Sequence, residues 1–228
     1  MDFLSSEGLT ESELLATKVA GLGHDIDQSF TWQPAFSGVG LRRVRDTGVI
    51  EASSAQYILA ELESAGLSTS ADIRETILEA VLGTVPAYSP ELKTVIQPNV
   101  SRSSKDSTWA IAAADLATAG FNSENFLRDG DAVWSEDRML PELESLSDEE
   151  KTTLHAEVIT WTENQIYYAE GQRDYWDRDI VPDFIKSKLT AFDESISLCR
   201  DRYLRRSNMT LPELLDDMRF SRFEKSEK

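Results

Sequence analysis

The sequence predicts an all-α protein, and three observations carry that prediction. Apolar residues recur at helical spacing in most segments between glycine and proline breaks. Ser/Thr-x-x-Glu capping boxes stand at Thr10/Glu13, Ser147/Glu150 and Thr210/Glu213, each opening such a segment. No Asn-Gly or Asp-Gly turn lies between two alternating apolar runs, so hairpin signals are nearly absent. At 228 residues the chain is long enough for one sizeable core. One domain over 1–228 is expected, with its core at about 10–176 and C-terminal helices at about 182–220.

The first helix is expected from Thr10 to about His24. Within Leu14 to Asp27, reading LLATKVAGLGHDID, the small residues Ala16, Ala20, Gly21 and Gly23 sit among Leu14, Leu15, Val19 and Leu22. Other helices can approach it closely on most sides, which makes it a central helix. Gln28 to Thr47, with Pro34, Gly38 and Gly40, has little periodicity and reads as a long loop. A helix from about Ala52 to Ala65 turns Ala55, Ile58, Leu59 and Leu62 to one face and stops at Gly66. The next, about Ala71 to Gly83, directs Ile73, Ile77, Leu78, Val81 and Leu82 inward.

A short helical piece is expected before Pro98. Ser107 to Gly120, STWAIAAADLATAG, reads as an alanine-rich helix with Ser107 as N-cap and Gly120 as its stop. Asp115 falls on the flank of its buried stripe, roughly 100° from the centre, where neighbouring alanines admit another helix. Asn122 to Glu136 reads as a short helix and turn. The Ser147/Glu150 box opens the longest helix, to about Tyr175, with Leu154, Val158, Trp161, Gln165, Tyr168 and Gln172 along one stripe. Pro182 starts a further helix toward Arg205, the Thr210/Glu213 box opens a last one, and the tail FEKSEK is expected to fray.

The 23 basic and 41 acidic side chains give a net charge of -18, which argues against nucleic acid as a partner because nucleic-acid binders carry a basic footprint. The single cysteine, Cys199, has no partner for an internal disulfide and reads as a packing residue in a reducing, cytoplasmic setting. No run approaches the roughly 20 apolar residues of a membrane span, and the acidic N-terminal stretch lacks the basic region of a signal peptide. No membrane partner is expected, while a homo-oligomer is admitted.

His24-Asp25 is the pair around which chemistry is sought. An imidazole beside a carboxylate at the end of a buried helix needs partners, since an unpaired charge out of water is costly. A metal ion is one such partner. Adjacent helical residues diverge by about 100°, so both reach one ion only over their shared edge, with further ligands from other helices. The plainer reading is a hydrogen-bonded histidine packed at a helix end.

From about Leu14 to Arg173 the chain resembles the HD superfamily of metal-dependent phosphohydrolases, a helical fold. Its pattern is a histidine, then His-Asp at the end of a core helix, then a distant aspartate on a later helix, all binding metal. His24 and Asp25 match the dipeptide, and Asp115 in AAADLATAG is similar to the distant aspartate. The order of elements between them fits as well, and WTENQIYYAEGQR is similar to the C-terminal part of small bacterial members. No histidine precedes His24 in this sequence, so either the chain begins after the helix that carries the pattern's first ligand or that ligand is lost, with Glu7 and Asp2 as oxygen substitutes.

The resemblance implies metal ligands His24, Asp25 and Asp115, with His24 and Asp25 at the catalytic centre. One imidazole and two carboxylates suit Mn, Fe, Mg or Zn. Such an ion polarises a phosphoryl group and acidifies its bound water. The implied substrate is a small phosphorylated molecule such as a nucleotide. Arg42, Arg43 and Arg45 follow the His-Asp loop and offer forks that match phosphate, against a surface cluster as the plainer reading. Glu51 belongs to the same mouth on this reading. His155 reads as structural, and Gln165, Gln172, Trp161 and Tyr168 read as core packing, with a base or sugar pocket as their functional alternative. Two other readings stand beside the enzyme. One is an inactive HD-fold module that binds a ligand or protein. The other is an unrelated acidic helical adaptor, which requires Asp115 to lie far from His24.

Overall fold

The computed structural model describes residues 10–67 and 70–223. Asp2, Glu7 and the tail after Phe223 lie outside the described residues. Helix accounts for 63% of the chain and strand for 9%, so the molecule is mostly helical and all-α is too coarse a description.

In chain order the elements are α1 (Glu11–Gly23), β1 (Phe30–Pro34), β2 (Leu41–Arg45), α2 (Val49–Ser64), α3 (Ala71–Gly83), β3 (Ala87–Ser89), β4 (Thr94–Ile96) and α4 (Asp106–Leu116). They continue with α5 (Thr118–Phe121), α6 (Ser123–Glu136), β5 (Arg138–Met139), a 3-10 turn (Leu143–Ser145), α7 (Asp148–Trp176), α8 (Asp183–Lys186), α9 (Phe192–Arg206) and α10 (Leu211–Phe223). Two compact units interleave along the chain. The first contains residues 10–29, 45–118 and 172–190 among those described, and the second 30–44, 119–171 and 191–223.

The capping boxes act as expected. The Thr10 side chain accepts from the Glu13 amide while Glu13 accepts from the Thr10 amide at 2.9 Å. The same reciprocal bonds join Ser147 to Glu150, and the Thr210 amide and hydroxyl both donate to Glu213. Each satisfies amides that the first helical turn leaves unpaired.

In the first unit α1 packs with α2, α3 and α4. The shared core holds Ala16, Ala20, Ala55, Ile58, Ile77, Ala80, Val81 and Ile111. A burial pattern confined to one face corrects the expectation of close approach on most sides. Ala16, Ala20 and Gly23 are buried, whereas Leu22 is 81% exposed and Leu15 is also exposed. The small residues face inward because they let backbones approach. A Cβ on Gly23 would meet the Ile58 side chain at 2.7 Å, which ties the end of α1 to α2.

The second unit packs α6 with α9 and α10. Its core holds Val39, Trp134, Leu146, Leu154, Val158, Leu214 and Met218.

Other expectations need correction too: α4 starts at Asp106 with Lys105 rather than Ser107 at its N-cap and ends at Leu116 rather than Gly120, and Leu78 of α3 is exposed rather than inward. The Gln28–Thr47 loop contains β1 and β2, which lie beside each other and extend through β5 in a three-stranded sheet. Phe30, Thr31, Trp32 and Val44 favour a pleated surface, and Gly40, at φ +74°, takes the left-handed turn conformation where a Cβ would collide with the Met139 carbonyl. The piece before Pro98 is the β3–β4 hairpin, not a helix. The helix expected from Pro182 to Arg205 is split into α8 and α9.

Candidate metal centre

His24 is the C-cap of α1, with φ -56° and ψ -30°. A carbonyl can only accept, so the 2.9 Å contact between Nδ1 and the Gly21 carbonyl fixes the proton on Nδ1. Nε2 is thereby turned outward. It lies 3.4 Å from Asp25 Oδ2 and 3.5 Å from Asp115 Oδ1, and one ligand atom from each of the three residues falls within 4.8 Å of the others. Asp25 comes from the turn that follows α1, and Asp115 from the last turn of α4, which packs on α1. The unrelated-adaptor reading requires a distant Asp115, and the 3.5 Å separation does not meet that requirement.

The electrostatics follow from the geometry. The hydrogen bond to Asp115 is the largest influence on His24 and raises its pKa to about 9. Burial opposes it, and the charges of Asp115 and Asp25 and the Gly21 bond add to it. The His24 side chain is 20% exposed and that of Asp25 53%, so the cluster is open on one side. It contains two carboxylates for one imidazole.

The donor set fits a divalent ion. Nε2, free once Nδ1 is committed to Gly21, and two carboxylate oxygens are the atom types that bind Mn, Fe, Mg or Zn. A proton on Nε2 and an ion at the same place are competitors.

One further residue reaches the cluster without a signal in the sequence. Gln97, after β4, donates from Nε2 to Asp115 Oδ2 at 3.0 Å. In TVIQPNV a single amide between apolar residues and a proline carries no periodic signal.

Arg42 and Arg43 belong to the second unit and Arg45 to the first. Arg43 pairs with Asp137 at 2.9 Å and lies over the Phe30 ring, while Arg42 lies 4.1 Å from the Phe36 ring centre with Gln33 as its hydrogen-bond acceptor. Arg45 is half-buried at the end of β2. Glu51 is a cap, accepting from the Gly48 amide at the start of α2. His155 Nε2 contacts the Met209 carbonyl at 2.9 Å, a structural bond. Gln172 is fully buried and satisfied by Thr94, Val95 and Trp176. Tyr168 stacks on Phe126.

No protein-family model, no curated protein and no solved structure matches the chain. Among the described residues no helix is long and apolar enough to cross a membrane.

Proposed function

We propose that this chain is an HD-type metal-dependent phosphohydrolase acting on a small phosphorylated substrate such as a nucleotide. The observation that supports it is the convergence of His24 and Asp25, at the end of α1, with Asp115 of α4, their ligand atoms within 4.8 Å of one another. These three residues would hold the ion. When bound, a divalent ion polarises a phosphoryl group and supplies an acidified water as nucleophile. The chain's own part is orientation: the Gly21 carbonyl fixes the imidazole tautomer, and Gly23 seats the end of α1 against Ile58. A proton on Nε2 would compete with the ion for the same nitrogen.

Calorimetric titration of Mn into metal-stripped protein tests this reading, with Asp25→Ala as control and a phosphoester screen to follow. Micromolar or tighter binding that the substitution abolishes is expected. Absence of binding would overturn it.

A second reading, an inactive HD-fold module that binds a ligand or another protein, is favoured by one observation. The cluster holds three ligand groups, and the only other histidine, His155, is engaged with Met209. Metal binding without turnover of any phosphoester would select it.

A further inference from the structure

Gln97 is 1% exposed, and the two ends of its amide are treated differently. Nε2 donates to Asp115 Oδ2 at 3.0 Å, while Oε1 is buried without a hydrogen-bond partner. Stranding a carbonyl oxygen away from water is unfavourable, and folded chains tolerate few such atoms. Packing does not account for the amide, because methionine or leucine fills a similar volume with no polar atom to strand. What the glutamine offers is one N–H aimed at one oxygen of Asp115. The other oxygen, Oδ1, is left facing His24 Nε2.

The residues around Gln97 hold it still. The Tyr175 hydroxyl accepts from the Gln97 backbone amide at 3.3 Å and donates to the Gln97 carbonyl at 3.1 Å. Gln172, one turn earlier on α7, donates to Thr94 and Val95 of β4 and accepts the Trp176 indole N–H at 2.7 Å. Arg178 lies 3.9 Å from the Tyr175 ring centre and donates to the Tyr175 carbonyl. The end of α7 thus fixes the segment that carries Gln97, and Gln97 fixes the carboxylate.

We propose that Gln97 is a positioning residue for Asp115: it holds Oδ2 so that Oδ1 is presented to the candidate metal centre. The proposal rests on the metal-binding reading above. Gln97 is not itself a ligand, since Nε2 is a donor and Oε1 is enclosed. Hydrogen bonds that orient metal-ligating carboxylates commonly change metal affinity by about 10- to 100-fold when removed.

The experiment is Mn titration of metal-stripped wild type and Gln97→Met, with thermal unfolding of both in the metal-free state. A positioning role predicts a loss of about 10- to 100-fold in Mn affinity, with a metal-free Tm unchanged or raised because the stranded oxygen is gone. Equal affinity in the two proteins would overturn the proposal and leave the metal-binding reading intact. A wild type that binds no Mn would overturn both. Should Gln97→Met fail to fold, Gln97→Leu takes its place, and failure of both would show the amide to be structural and overturn the proposal.

Discussion

Each unit of the molecule contains a cluster of charged side chains, and the two are built on opposite plans. In the second unit Arg206, 1% exposed, donates to Asp131 through both terminal nitrogens at 2.9 and 2.7 Å and to Asp217 from Nε at 2.8 Å. Arg202 joins Asp131 at 2.9 Å and the Leu127 carbonyl at 2.8 Å, and Arg205 pairs with Asp217. Three guanidiniums and two carboxylates close on one another by forked bonds. In the first unit a single imidazole faces two carboxylates at 3.4 and 3.5 Å, with one of them half in solvent. The closed cluster pairs each carboxylate with two guanidiniums at short range, which is the pattern of a structural tie. The open one carries excess negative charge and long contacts, which leaves room for a further cation.

The largest expected effect comes from breaking the closed cluster. Arg206→Leu takes from the buried Asp131 the arginine that grips both its oxygens, and removing one partner of a buried ion pair commonly destabilises by about 3–5 kcal/mol. Denaturant unfolding followed by circular dichroism measures it. Cys199 supplies a second readout. Burial pushes its thiol up to about 12, so the wild type should resist alkylation at pH 8, and the variant should label faster as opening becomes more frequent. A loss under 1 kcal/mol would mean that the network is not a structural tie.

Breaking the open cluster should cost less stability and change its pH dependence instead. Asp115→Asn removes the largest cause of the His24 shift, so the imidazole should fall from about 9 toward its ordinary 6.5. Because the folded-state value is raised, the wild-type imidazolium contributes stability fully below about 6.5, and that contribution is lost as pH rises through about 9. The variant should lose on the order of 2 kcal/mol at pH 6 and little above pH 9. Asp25→Asn, acting on a more exposed and lesser cause, should produce a smaller fall. Proton NMR of the imidazole against pH checks both, and an unshifted His24 in the wild type would contradict the open cluster as described. With the Nε2 proton as competitor, Mn affinity in the wild type should rise with pH up to about 9 and then level.

The two clusters differed as much in legibility as in construction. Helix starts were readable because capping boxes are local: Thr10/Glu13, Ser147/Glu150 and Thr210/Glu213 all function where their spacing placed them. His24, Asp25 and Asp115 were readable as candidates through a short dipeptide and an alanine-rich helix. The strands were not, because β1 and β2 are five residues each with no clean alternation, and β5 is two residues that pair with β2. Gln97 and the closed cluster were invisible for a related reason. Asp131 meets Arg206 across 75 positions and Gln97 meets Tyr175 across 78, and no periodicity in one sequence encodes such pairings.

The smallest expected effect isolates α1 as the support of the open cluster. Thr10 caps its start, and His24 terminates it at the other end. Thr10→Ala removes the bond to the Glu13 amide and breaks the reciprocal box, a loss of about 1 kcal/mol. The cap satisfies the first turn only, whereas His24 is located by Gly21, by the Gly23–Ile58 contact and by Asp115. The variant should therefore unfold at a lower Tm while its His24 titration stays near 9 and its Mn affinity is unchanged. A His24 pKa that moved with the cap would mean that the cluster depends on the whole length of α1 rather than on the contacts of its last turn.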